Sequence, residues 1–513
     1  VSKADGGTFD GNVTMAGTLG VTGATTLTGG VSGNTTFSGE IITSTSGTSN
    51  VRIGENAGDA IASGGNYNTV VGDEAGTAIT TGDGNTAVGF EALKTEDAHG
   101  FNTAVGYQTL KMQNAGAEGY NVAVGHQAGT AITTGIANVI VGALAGDAMT
   151  TGLINVLVGT NAGSGLTEGL ENVAMGHNSL LVDTKGQRST ALGYGTLAAQ
   201  NFTSLTEVYN TAVGFNAGAA VTTGIYNTAV GGLAGDALTD ADYNIAIGGL
   251  ALSSDTKGSN SVAVGYRALT TQNNSSATQA NNTAIGTNAG ASVTDGINNV
   301  FVGHGAGAGH QSGDHSIYIG RDAGYHATPT TTGSYNIFIG SFTDGDANDT
   351  GAMIVMGYNV TSVGNQNFTF GNNTTDSNIA FGATSISAPS DERLKEDIKD
   401  ETVGLAFINE LRPVTFQWKK ANDIPTDMKA YDKDSDERVM NGKYNHGFIA
   451  QEVKAVIDKY DIKNGCNLWS ESGEDKRQRL AEGELVPFLV KALQELSAQV
   501  TTLQAEVKAL KGE

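Results

Sequence analysis

Apolar positions between residues 50 and 340 recur in one short phrase. A polar residue, usually Asn, is followed by three small or aliphatic residues and then Gly. Asn85-Thr-Ala-Val-Gly89, Asn102-Thr-Ala-Val-Gly106, Asn121-Val-Ala-Val-Gly125 and Asn227-Thr-Ala-Val-Gly231 are examples. The polar marker stands at 50, 68, 85, 102, 121, 138, 155, 172, 189, 210, 227, 244, 261, 282, 299, 316 and 336. Most intervals are 17 residues, and the rest run from 18 to 21. Between markers lies a second short element, often Ala-Gly-x-Ala-Ile-Thr-Thr-Gly, as at 75–82 and 128–135. A period this short cannot hold a helical hairpin, which needs about 33 residues or more. Two Gly-bounded strands per period fit one rung of a parallel β-solenoid, with residues such as Val70 and Val71 on buried strands close to an axis. Seventeen rungs at about 4.8 Å each predict a rod on the order of 80 Å long. Polar excess in the longer intervals, at 200–209 and 271–281, predicts loops on one face and candidate contact surfaces.

The flanks read differently. Residues 1–49 alternate Thr and Val with closely spaced Gly, which predicts a thin β-structured stem completed by partner chains. From about 340 strand-plus-Gly units crowd together, ending at Gly340, Gly357, Gly371 and Gly382, and predict a narrower β neck and linker over 341–389. Residues 383–389 read as an extended linker. Beyond 390 the pattern changes again. Glu392–Leu411 has helical spacing through Ile398, Val403, Leu405, Ile408 and Leu411, and Pro413–Trp418 alternates like a strand. Residues 420–443 read as an acidic loop, and Gly447–Val453 opens a helix to about Tyr460. Val486, Leu489, Leu493, Leu496, Val500, Leu503, Val507 and Leu510 keep 3–4 spacing, the seam of a coiled coil over 486–510.

Composition agrees with a join near 390. The 513 residues include 73 Gly and only five Pro, which excludes collagen and suits a turn every few residues. Residues 1–390 carry nine Lys or Arg against 28 Asp or Glu, and residues 391–513 carry 19 against 24. Both tryptophans and four of the prolines lie at or after residue 389. A net charge of −24 argues against nucleic acid as a partner, because phosphate neutralisation needs clustered Lys or Arg. The one cysteine, Cys466, leaves no intrachain disulfide. No apolar run approaches the roughly 18 residues of a membrane span, and the opening Val1-Ser-Lys-Ala-Asp lacks the apolar core of a signal peptide.

Ser390-Asp-Glu-Arg-Leu-Lys395 sits on the boundary and pairs a serine with a lysine. A serine hydroxyl is a weak nucleophile that needs a neighbouring base. Lysine serves when burial or nearby cations lower its pKa until it is neutral near pH 7. On its own, such a stretch is most often a helix start, with Ser390 or Asp391 as cap.

Two resemblances extend this reading. The repeats are similar to the β-roll heads of trimeric autotransporter adhesins, whose Asn-Ser-Val-Ala-hydrophobic-Gly phrase appears as Asn260-Ser-Val-Ala-Val-Gly265, over roughly 50–340. Ser390-Asp-x-Arg-x-Lys395, Leu411-x-Pro-Val-Thr-Phe-x-Trp418, Gly447-Phe-Ile-Ala-Gln-Glu-Val453 and the closing heptads resemble the intramolecular chaperone auto-processing domain of phage endosialidase tailspikes and tail fibres, over 390–513. That resemblance implies a mainly β, elongated homotrimeric parallel β-solenoid fibre with a small α+β chaperone domain ending in a coiled coil. It implies a Ser390 nucleophile, a Lys395 base and cleavage at Pro389–Ser390. The expected protein is a virion tail fibre, assembled in the host cytoplasm, attached upstream to a tail or baseplate component and binding a host glycan or protein receptor. Asp391 and Arg393 read as ion-pairing or capping residues, and Gln451 and Glu452 as positioning the dyad or a trimer contact. Pro389 fixes φ near −65° and bears on attack at its carbonyl.

Other signals are set aside. Asp344–Asp349 resembles the start of a calcium loop, but Asp349 and Val355 stand where Gly and Glu belong. His304, His310, His315 and His326 match no zinc spacing and read as solvated loop residues. No cofactor and no metal is expected. The aromatic-poor repeats offer no evident sugar platform before residue 300. A depolymerase acting on a surface polysaccharide and a bacterial trimeric adhesin are the competing readings.

Overall fold

The computed structural model describes residues 45–274, 276–325, 331–349, 351–373, 375–463, 465–472 and 476–512. The chain divides into two compact units, Val1–Pro389 and Ser390–Glu513. Most of the expected stem, residues 1–44, and His326 lie outside the described residues.

The first unit is a parallel β-solenoid built by one chain. Val51–Ile53 pairs in parallel with Thr69–Val71, that strand with Thr86–Val88, and so on turn by turn to Asn367–Asn372. The parallel ladder therefore runs past Gly340. Each turn contributes a strand of only three residues over most of the ladder. The second repeat element, expected as another strand, is a run of turns. Its Gly and its left-handed residues bend the chain too sharply for a ladder. The insertions are tied down as well, because Gly186–Gln187 pairs with Thr206–Glu207 and Gly258–Ser259 with Thr278–Gln279. Thr375–Ala380 runs antiparallel to Asn367–Asn372 and ends the parallel stack.

The marker asparagines form a buried hydrogen-bonded column. Asn155 is fully buried; its Oδ1 accepts from the backbone N–H of Asn172 at 3.0 Å, and its Nδ2 donates to the Gly169 carbonyl at 2.9 Å. Asn68, Asn85, Asn138 and Asn227 repeat the linkage to the turn before or after. A carboxamide offers both an acceptor and a donor, so one side chain pairs two backbone groups that the turns would otherwise leave buried and unsatisfied. The glycine after each strand is equally constrained. At Gly159, φ is +135°, and a Cβ would lie 2.6 Å from the Gly176 carbonyl oxygen of the next turn.

The interior is filled by the middle strand residue, an Ala column, and one larger side chain per turn. That larger side chain comes from either of two places. In Ala128-Gly-Thr-Ala-Ile132 it is Ile132, and a Cβ on left-handed Gly129 would lie 2.8 Å from Ile132 Cδ1. In Ala92-Leu93, Leu93 takes the position of that Gly, with φ at 50°, and fills the core itself. Leu110, Leu180, Leu197, Leu252 and Leu269 do the same. Three residues on, where the other turns hold Ile132 or its counterpart, these turns bury Glu96, Gln113, Asp183, Gln200, Asp255 and Gln272.

These polar residues work in pairs across neighbouring turns. Gln200 donates to Asp183 Oδ2 at 2.6 Å and to Ser189 Oγ at 3.0 Å, and its Oε1 accepts from Asn210 at 2.9 Å. Asp183 also accepts from the Gly186 and Phe202 N–H groups, pinning the start of the inserted segment. Asp255, Gln272, Ser261 and Asn282 reproduce the arrangement four turns later. Where Ser189 and Ser261 interrupt the asparagine column, a glutamine of the same turn bridges to the next asparagine; at Ser316 the hydroxyl itself accepts from the Asn336 N–H at 3.2 Å.

The second unit has a small core of its own. Leu405–Glu410 (α1), Ala450–Lys459 (α2) and Val486–Lys511 (α3) bring Phe407, Leu411, Val453, Ile457, Leu468, Leu485 and Phe488 together. Phe407 meets Tyr460 edge-on at 5.4 Å and Phe488 at 5.2 Å. Two antiparallel pairs, Val414–Phe416 with Asn445–Gly447 and Trp469–Ser472 with Arg477–Leu480, complete it. The long helix expected over Glu392–Leu411 is not present. A 3-10 turn spans Glu392–Leu394, Asp397 is left-handed at φ 53°, and α1 starts only after Gly404. Glu495 on α3 accepts from the Leu405 N–H at 2.8 Å and so fixes where α1 begins, as a carboxylate at a helix N-terminus does.

Candidate functional site

The serine and lysine at the start of the second unit lie next to each other. Asp391 caps the Glu392–Leu394 turn through its Oδ1, which accepts from the Arg393 N–H at 2.9 Å. The Arg393 guanidinium returns to the same carboxylate at 3.0 and 2.6 Å. This pair holds the Asp391 carboxyl below the usual carboxylate range. The Lys395 N–H donates to the Glu392 carbonyl at 3.0 Å and closes the turn. Lys395 then leaves in an extended conformation, φ −123° and ψ 145°, and its Nζ donates to Ser390 Oγ at 2.7 Å. One tight turn thus brings together two side chains five positions apart, with Asp391 and Arg393 as its clasp.

All of these residues are exposed in the single chain. With an ammonium as donor, the serine oxygen accepts. Base catalysis needs the neutral amine, so that the hydroxyl donates instead, and burial of Lys395 is what favours that form.

Glu452 and Gln451 sit elsewhere on the unit. Glu452 accepts from Arg412 Nε at 3.0 Å and also from its Nη2, which lowers the Glu452 carboxyl pKa. Gln451 lines a groove of about 850 Å3 with Phe416, Trp418, Ile424, Met428 and Arg479. The heptad residues of α3 are mostly solvent-facing: Leu493 is 64 % exposed and Leu503 58 %, while Phe488 and Ala492 on another face are buried.

Residues 390–462 match the family described as chaperone of endosialidase. The second unit carries a chaperone-of-endosialidase domain. A long parallel β-solenoid ahead of such a domain fits a tail fibre with an intramolecular chaperone. No curated protein and no solved structure matches the chain. Among the described residues, no helix is long and apolar enough to cross a membrane.

The solenoid holds features that the sequence reading missed. Glu96, Asp97 and His99 bring ligand-type atoms within 4.8 Å of one another, a grouping able to take a cation. Glu96 is fully buried, and burial pushes its carboxyl up to about 7. The period alone contained the clue, since Glu96 and Gln113 occupy the repeat positions of Asp183 and Gln200. His310, expected as a solvated loop residue, is buried; its Nε2 lies 2.8 Å from the Gly313 carbonyl and its ring packs edge-on to Tyr318. Exposed rings also stack up the shaft, with Tyr209, Tyr226 and Tyr243 at 5.2–5.3 Å and Phe90, Tyr107 and His126 at 5.2–5.4 Å. Stacking covers the faces of the inner rings and leaves their edges to solvent.

Proposed function

We propose that this chain is the precursor of a trimeric phage tail fibre that attaches to a host surface. The chaperone domain directs trimer folding of the solenoid and then releases itself at Pro389–Ser390. The observation carrying the reading is the 2.7 Å approach of Lys395 Nζ to Ser390 Oγ in the domain matched to the chaperone family. Once Lys395 is buried and neutral, it accepts the Ser390 proton. Oγ attacks the Pro389 carbonyl carbon through a five-membered ring. The Pro389–Ser390 C–N bond breaks, the proton passes to the Ser390 amine, and an ester is left on Oγ. Water hydrolyses the ester to a Pro389 carboxylate and a free Ser390 hydroxyl. The exposed seam of α3 supports self-association, since knobs-into-holes packing is what 3–4 spacing provides. Burial of Lys395 by neighbouring copies would tie cleavage to assembly.

The test is expression of wild type beside Ser390→Ala and Lys395→Ala, with denaturing gels, N-terminal sequencing of the smaller product and light scattering. The expected result is two fragments for wild type, the smaller beginning at Ser390, and an intact trimer for each variant. Unchanged cleavage in both variants, or a new N-terminus elsewhere, would overturn the proposal.

A further inference from the structure

The outward face of the solenoid strands carries no charge along its whole length. In each turn after the first the middle residue of the strand points into the core, and the first and third point out; the first turn has Arg52 in the middle, paired with Asp59. The third position is Val, Ile, Leu, Met or Phe in every turn from Ile53 to Phe370. The first is Thr, Val, Ile or Phe throughout. Val124, Val141, Met175, Ile247, Ile285 and Ile319 are all between 36 and 44 % exposed. Yet this unit is acidic, and Asp and Glu occupy its turns. Exposed aliphatic side chains scattered singly need no explanation, but an unbroken stripe does.

We infer that this stripe is the surface on which copies of the chain pack in the shaft. Its length, on the order of 80 Å at 4.8 Å per strand, and its breadth of three residues, about 10 Å, give roughly 800 Å2. That exceeds the few hundred Å2 usual for a monomer surface and equals one partner's share of a standard interface. The stripe is uniform from turn to turn, so its occupant must repeat at the same spacing over the same length. A second solenoid of the same sequence meets that requirement. Two columns of different composition also suit a closed ring, in which a first-position column of one chain meets a third-position column of the next.

The inference rests on the trimer reading above and adds where on the shaft the chains meet. Its test uses the full chain in a Cys466→Ser background, with single cysteines placed by Val141→Cys, Ile247→Cys or, in a turn, Thr151→Cys. A short bis-maleimide is added, and light scattering reports the oligomeric state. The expected result is covalent dimers and trimers for the two strand-face positions, at least tenfold more than for Thr151→Cys. A trimer in which all three positions cross-link equally, or none does, overturns the interface and leaves the trimer standing. A monomer by light scattering overturns both. Val141→Lys combined with Ile247→Lys is a second arm, expected to leave a folded turn structure by circular dichroism with the shafts apart; an unaffected shaft trimer after removal of the chaperone domain also counts against the interface.

Discussion

Ile132 Cδ1 occupies the space that a side chain on Gly129 would need, with only 2.8 Å to a Cβ placed there. The two residues are alternatives for one volume, and Leu93 shows the other solution in the same fold. Gly129→Leu alone should overpack the turn and destabilise by about 1–3 kcal/mol. Ile132→Ala alone should leave a cavity and cost about 2–5 kcal/mol. The double variant should be more stable than the sum of the two by at least 1 kcal/mol, read as a coupling in denaturant unfolding. Additive losses would show that the volumes are independent.

Asn155 should be costly to truncate. Asn155→Ala leaves the Asn172 N–H and the Gly169 carbonyl buried without their partner. A loss of about 2–4 kcal/mol is expected, seen as a lower midpoint in thermal unfolding. Asn155→Ser should rescue only in part: a hydroxyl can accept from the next turn's N–H, as Ser316 does from Asn336, but Ser189 and Ser261 leave the second linkage to Gln200 and Gln272 of their own turns.

The shaft should be most stable near pH 5. Burial raises the Glu96 carboxyl from 4.5 to about 7 and also raises Asp147 and Asp236. For Glu96 the folded state holds its proton more tightly, so the favourable contribution is complete below 4.5 and is lost as pH rises to 7. Glu91 runs the other way: ion pairs with Lys111 and Lys94 lower it from 4.5 to about 2. Its contribution is present above 4.5 and lost as pH falls toward 2. Thermal midpoints measured from pH 3 to 8 should peak between these windows. Glu96→Gln should flatten the fall above pH 5 by up to about 3 kcal/mol; an unchanged slope would remove Glu96 as its cause.

The seam of α3 should matter to assembly and little to the fold of one chain. Leu496→Lys with Leu503→Lys alters exposed positions, so the helical signal of the second unit should stay within about a tenth of wild type. Sedimentation should show loss of the proposed trimer. A trimer that survives would place self-association elsewhere.

The period of the shaft was readable because its causes are local. Asn155 and Gly159 each answer a demand that recurs in every turn, and a residue type repeating at fixed spacing records it. The exchange between Ile132 and Leu93 was not readable, since nothing about leucine announces a left-handed backbone. The helix expected over Glu392–Leu411 failed for a related reason. Ile398 and Val403 imitate a helical face, but Asp391 closes a tighter turn at once. Glu495, some ninety residues away, decides where α1 begins. Ser390 and Lys395 stood out in sequence, whereas their contact depends on that 3-10 turn.

Thr375–Ala380 closes the ladder by running against it. Each turn before it touches only the turns on either side, so no distant packing sets how many turns there are. Adding or deleting one 17-residue turn would move the far end of the rod by about 4.8 Å and change contacts only at the join. The four-turn recurrence of Asp183 and Gln200 as Asp255 and Gln272 has the form of such a copy. The shaft is a ruler whose reach is written in copy number, open to adjustment by duplication without redesign of either end.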